Sequence, residues 1–104
     1  MPMVWTVKIS RKTAKQVNCL PEEIRKRFYA LAQNIKHSGP VQSRLPNYGK
    51  ISGARDCHHC HIKKGKPTYV VVWKVIDKQA GIVEVAYVGT HEKANYGTLC
   101  RDSH

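Results

Sequence analysis

Cys57-His58-His59-Cys60-His61 carries the densest chemistry in this 104-residue chain, which has 6 histidines and 4 cysteines. An imidazole titrates at about pH 6.5 and can take or give a proton near neutrality. Lys63-Lys64-Gly65-Lys66 follows at once. Imidazoles beside lysines suit phosphodiester cleavage. One group removes the proton of a ribose 2′-hydroxyl, cations stabilise the crowded phosphorane, and an acid protonates the leaving 5′-oxygen. With the 2′-hydroxyl as nucleophile no metal is required, and no cofactor is expected.

Two other readings of the run stand beside this one. Cys57-x-x-Cys60 is half a zinc site, which Cys100-x-x-x-His104 could complete. In an extended segment, however, Cys57, His59 and His61 face one way and His58 and Cys60 the other, so the two cysteines point apart. Alternatively the run is ordinary sheet, with cysteines as small fillers and histidines as polar surface. No Gly-rich phosphate loop, nucleophile elbow or dinucleotide fingerprint is present.

The elements that must position these residues can be read from periodicity. Trp5, Val7 and Ile9 alternate with Thr6 and Lys8, which predicts a half-buried strand. Ser10 offers an N-cap to a helix over Arg11 to Cys19, with Ala14 and Val17 inward. Pro21 stops that helix and suits the first turn of another, where Glu22 and Glu23 favour the positive end. Ile24, Phe28, Leu31 and Ile35 then form one apolar stripe, ended by Ser38-Gly39-Pro40. Residues 40–53 read as loop. Ala54 to Ile62 is extended. Thr68 to Ile76 is a central strand with both faces covered. Ile82 to Val88 is another strand, ended by Gly89, and His91 to Tyr96 forms one helical turn. The predicted class is α+β: strand–helix–helix–strand–strand–strand, with a helical hairpin on one face of a mostly antiparallel sheet. One domain is expected over residues 1–96, with 97–104 a mobile tail.

Charge narrows the partner. The chain holds 18 Lys plus Arg against 7 Asp plus Glu, a formal balance of +11. The excess sits in residues 1–66, where Glu22, Glu23 and Asp56 are the only acids. This points to a polyanion or an acidic partner. No apolar run is long enough for a membrane span. The Met1-Pro2-Met3-Val4-Trp5 start lacks the order of a signal peptide, which predicts a cytoplasmic chain with reduced thiols.

The end of the chain, Val85-Ala86-Tyr87-Val88-Gly89-Thr90-His91-Glu92-Lys93-Ala94-Asn95-Tyr96, resembles the closing strand and tail of RelE/ParE-superfamily toxins. It is most similar to the YafQ-like and HigB-like branches, where Gly-Thr-His precedes an aromatic residue. Gly53-Ala54-Arg55-Asp56-Cys57-His58 resembles the start of the second strand in the YafQ-like branch. His59-Cys60-His61-Ile62-Lys63-Lys64-Gly65 with Pro67-Thr68-Tyr69-Val70 resembles the strand–turn–strand unit of the group. The element order also matches.

This resemblance implies a cytoplasmic toxin of a type II toxin–antitoxin pair, an endoribonuclease that cuts mRNA on the ribosome and is blocked by a cognate antitoxin. By the match, His91 is a catalytic residue, acting as general acid or phosphate ligand. The strand histidine is His58 in an ungapped match and His61 in a slipped register. His59 shares a face with His61 and is a third candidate. Tyr96 would stack a base or bond a phosphate. Arg55, Lys63, Lys64 and Lys66 would contact phosphates, with Lys50 and Arg44 as secondary candidates. Lys74 is the only cation on the third strand, where the superfamily carries arginine. Two other functions remain open: a ParE-like poison of DNA gyrase, and a small basic nucleic-acid-binding or zinc-binding module.

Overall fold

The computed structural model describes residues 4–51 and 56–101. Arg55 and His104 lie outside the described residues. The chain runs β1 (Thr6–Ile9), α1 (Arg11–Asn18), α2 (Glu22–Ser38), β2 (Tyr48–Lys50), β3 (Cys57–Lys63), β4 (Tyr69–Asp77), β5 (Ile82–Thr90), a 3₁₀ turn (His91–Lys93) and α3 (Tyr96–Leu99). This is the α+β class expected from the sequence.

The five strands form one sheet in the order β1-β5-β4-β3-β2. β4 is central, as its unbroken apolar run predicts. β2, β3, β4 and β5 pair antiparallel. β1 returns beside β5 in parallel, because the helical hairpin carries the chain across the sheet before the strand order closes.

Both helices lie on one face. The predicted stripe of Ile24, Phe28, Leu31 and Ile35 is buried. It packs with Val17 and Leu20 against Cys60, Val71, Trp73, Val83, Val85 and Val88. Truncating Phe28 to Ala would cost about 3–5 kcal/mol, from lost transfer energy plus the cavity left behind. α2 ends at Gly39, whose φ of +93° lies where side chains are strained; a Cβ there would also come within 2.9 Å of Trp5 Nε1.

Several expectations are corrected. In α1 the inward residues are Thr13 and Val17, whereas Ala14 is exposed. Thr13 Oγ1 donates to the Val85 carbonyl at 3.2 Å, so its hydroxyl is satisfied within the core. Ile9 is 40% exposed, because β1 is an edge strand that the helices cover only in part. The stretch read as loop holds the short strand β2, and β5 runs through Gly89 to Thr90. Near the chain end, α3 covers Tyr96–Leu99 and Cys100 is bonded to Cys57 at the start of β3.

Candidate active site

The face of the sheet away from the helices carries two adjacent rows. Strand register aligns Gly49, His59, Val72 and Tyr87 in one row, and His61, Val70 and Gly89 in the next. Directly opposed residues share a face, so the alternation read in the sequence puts His59 and His61 together there. The glycines matter for space. A Cβ at Gly49 would fall 2.8 Å from His59 Nε2, and one at Gly89 would fall 2.6 Å from Tyr87 Oη.

The chain end brings two more groups to these rows. Tyr87 Oη donates to the Thr90 carbonyl at 2.7 Å, and the His91 amide donates to the Thr68 carbonyl at 2.8 Å. Together they fix where β5 ends and where the His91 ring begins. Asn95 caps α3 by accepting from the Thr98 amide at 3.1 Å. That turn lays Tyr96 over His59, with ring centroids 5.3 Å apart. His59 and His61 lie 5.5 Å apart, and His61 and His91 meet edge-on at 5.2 Å. His91 and Tyr96 close the cluster at 6.2 Å.

Three polar atoms of this cluster have no partner within the protein. His59 Nδ1, His61 Nε2 and Tyr96 Oη are buried without a hydrogen-bond partner. An unsatisfied buried polar atom costs free energy unless something arrives to bond it. Burial, then the neighbouring His61 and His91 imidazoles, holds His59 below the ordinary imidazole range. Burial, then His91 and the Lys64 ammonium, does the same for His61. Burial, followed by Tyr87, pushes the Tyr96 phenol up. Near neutrality the arrangement therefore presents neutral, proton-accepting imidazoles on β3 and a protonated phenol beside them.

His58 stands apart from this cluster. It is 1% exposed on the helix-covered face, stacked on Trp73 and Tyr48, with Nδ1 2.7 Å from Tyr48 Oη. A substrate on the open face cannot reach it, so the ungapped match to the strand histidine does not correspond to a position beside His91. The slipped register, which selects His61, does.

Cations surround the cluster unevenly. Lys63 ends β3, and Lys64 and Lys66 sit on the β3–β4 turn, close enough for Lys64 to act on His61. Lys50 pairs with Asp56 at 3.9 Å on the β2 edge. Lys74 bonds the Arg101 carbonyl at 3.4 Å, beside α3. Arg44 is exposed on the connection before β2.

The cysteines depart from the reduced-thiol expectation. Cys57 is bonded to Cys100, whereas Cys60 is buried as a free thiol on the opposite face. Strand alternation separates Cys57 from Cys60, so the pair cannot form half a zinc site. Among the described residues no group of three or more His, Cys, Asp or Glu is placed to hold a metal ion. Sequence reasoning also missed Gly49, Tyr87 and Asn95. Only the two-residue spacing of Tyr87 and Gly89 hinted at a shared face.

No protein-family model and no curated protein matches the sequence. Solved structures do. A double mutant of the E. coli toxin RelE in the free state superposes with a TM-score of 0.74 at 19% identity, covering 94% of this chain and 95% of that one. The RelE–RelB complex of Pyrococcus horikoshii gives 0.68 at 17% identity, with 88% and 100% covered. The YoeB–YefM complex of Staphylococcus aureus gives 0.63 at 14% identity, with 84% and 97% covered. The chain has the fold of the RelE toxins.

Proposed function

We propose that this chain is the toxin of a toxin–antitoxin pair and that it cleaves RNA by acid–base chemistry on the open face of its sheet. The observation that carries this reading is the meeting of His59, His61, His91 and Tyr96 on one face, with unpartnered ring atoms beside a lysine-rich turn.

In the reaction, the neutral His61 imidazole takes the proton of a ribose 2′-hydroxyl. The 2′-oxygen then attacks the adjacent phosphorus, the P–O5′ bond breaks, and the exposed His91 side chain, acting as the general acid, gives a proton to the departing 5′-oxygen. The products are a 2′,3′-cyclic phosphate and a 5′-hydroxyl. Tyr96 Oη and His59 hydrogen-bond the phosphoryl oxygens, and Lys63, Lys64, Lys66 and Arg55 neutralise flanking phosphates. One positioned acid or base gives typically about 10²–10⁴-fold. So few groups leave much of the acceleration to correct placement of the substrate, which favours mRNA held in the ribosome.

The neighbours RelE–RelB and YoeB–YefM are complexes of two proteins. A cognate antitoxin that covers the basic surface is the corresponding partner here. Gyrase poisoning by binding alone would need no clustered imidazoles, so the cluster favours the nuclease. Induced expression in bacteria tests the reading. The chain should arrest growth and leave new 5′-hydroxyl ends in coding transcripts, and the His61→Ala/His91→Ala variant should do neither. Growth arrest by that variant, accompanied by gyrase-dependent DNA breaks, would reject the nuclease in favour of the poison.

A further inference from the structure

The Cys57–Cys100 disulfide joins the two segments that carry His59 and Tyr96, and we propose that it is the positioning device that holds Tyr96 in the active site. This rests on the nuclease reading of the site. Cys57 opens β3 on the same face as His59. Cys100 caps α3, one turn after Tyr96, and its amide donates to the Tyr96 carbonyl at 2.9 Å. The bond thus closes a bracket around the His59–Tyr96 stack. Its half-cystines pack with Val72, Ile51, Ala86, Tyr87, Tyr96 and Leu99 in a small second core.

The bracket matters because, apart from the packing of Tyr96 and Leu99 on the second core, α3 has few ties to the sheet. Tyr96–Leu99 is a 4-residue helix. A helix that short does not persist without tertiary anchoring, since nucleation costs more than one turn returns. Its hydrogen bonds to the rest of the chain are few: Lys74 Nζ reaches the Arg101 carbonyl at 3.4 Å from an exposed position. With the sulfur link intact, Tyr96 Oη stays buried over His59. With the link cut, α3 and its phenol leave the rows, while His59, His61 and His91 remain on strands and turns with their own backbone bonds.

Opening the link is a two-electron, two-proton reduction. The Sγ–Sγ bond breaks to two thiols, and the electrons come from a dithiol, which closes to its own cyclic disulfide. Cytosolic reductants favour the thiols. The reverse exchange, in which a small-molecule disulfide takes up the two electrons and leaves as two thiols, re-forms the Sγ–Sγ bond and completes the site, so the nuclease is more active under oxidising conditions.

The test uses the full chain carrying Cys19→Ser, which removes the exposed thiol, with and without dithiothreitol. Hydrogen exchange of the 94–101 segment reads the tether without relying on activity. Its amides should be protected in the oxidised protein and exchange freely once reduced, with β4 and β5 unchanged. Equal protection in both forms would overturn the proposal. Single-turnover RNA cleavage reads the consequence. Reduction should slow it by about 10²-fold, the usual effect of removing one transition-state hydrogen-bond donor. In a Tyr96→Ala background reduction should change nothing further. Equal cleavage by both forms, or an undiminished effect of reduction in Tyr96→Ala, would overturn the positioning role and leave the nuclease reading intact. If neither form cleaves RNA, the nuclease reading fails and the proposed role in catalysis falls with it, while hydrogen exchange still decides whether the bond holds α3.

Discussion

The His59 imidazole and the Tyr96 phenol ring stack with centroids 5.3 Å apart and planes inclined by 26°. One ring belongs to the middle of a strand and the other to the last helical turn. Their contact gives the site its roof and leaves Tyr96 Oη facing inward without a partner. Tyr96→Phe keeps the stack and removes the donor. Cleavage should fall by about 10²-fold with the melting temperature preserved or raised, since an unsatisfied buried hydroxyl is lost. Measured single-turnover rates equal to wild type would remove Tyr96 from the chemistry.

His61 and His91 are assigned opposite halves of the proton transfer. Each single change to Ala should slow cleavage by about 10²–10⁴-fold. The double variant should fall short of the product of the two, as groups acting as a unit do. His58→Ala should lower stability and leave the rate of the folded fraction within a few-fold, because His58 lies behind the sheet. Rates normalised to folded protein by circular dichroism check this; a His58 variant that folds but is inactive would reverse the assignment.

The pH dependence follows from buried imidazoles. His58, His59 and His61 are all held below the ordinary value, chiefly by burial. Below about pH 6.5 the unfolded chain takes up protons that the folded chain resists, so stability is full above that pH and is lost as pH falls toward the folded values. Thermal melts should therefore drop from pH 7.5 to pH 5. The acid limb of the rate should likewise lie below about pH 6.5, and Lys64→Ala should move it upward by removing a cation that disfavours His61 protonation. A limb that stays in place or moves downward contradicts the role of His61 as base.

Space around His59 is a third handle. Gly49→Ala puts a methyl 2.8 Å from His59 Nε2, so the ring must move off its place under Tyr96. The expected result is slower cleavage, with RNA binding changed less than the rate. Unaltered cleavage would mean that the His59 position is not critical.

Cation placement predicts the salt response. Replacing Lys63, Lys64 and Lys66 by Ala removes three contacts, and each single-strand phosphate contact contributes about 0.7 to the slope of log affinity against log salt. The slope should shrink by about 2 in filter binding over a salt series. An unchanged slope would move the RNA path away from the β3–β4 turn.

Much of this site was legible because strand alternation is a two-residue rule. Cys57 to His61 could be split into two faces from sequence alone, and the split separates His59 and His61 from His58 as observed. The Ile24–Ile35 stripe was legible for the same kind of reason. What stayed hidden depended on contacts distant in sequence. β2 is three residues long with a glycine at its centre, too short to show a period. The inward residue of α1 was misjudged because Thr13 is polar, and its hydroxyl is satisfied in the core by donating to the Val85 carbonyl and accepting from the Ser10 hydroxyl. The Cys57–Cys100 bond spans a sequence separation of 43, and no spacing rule selects it among three pairings. α3 went unseen because a four-residue helix is too short to carry an apolar stripe.

The most direct measurement incubates the purified, oxidised protein with ribosomes translating a defined mRNA and maps the new RNA ends. The account predicts cuts that leave a 2′,3′-cyclic phosphate and a 5′-hydroxyl, present with the wild-type chain and absent with His61→Ala/His91→Ala. Intact transcripts with the wild-type chain, or equal cutting by both proteins, would contradict it.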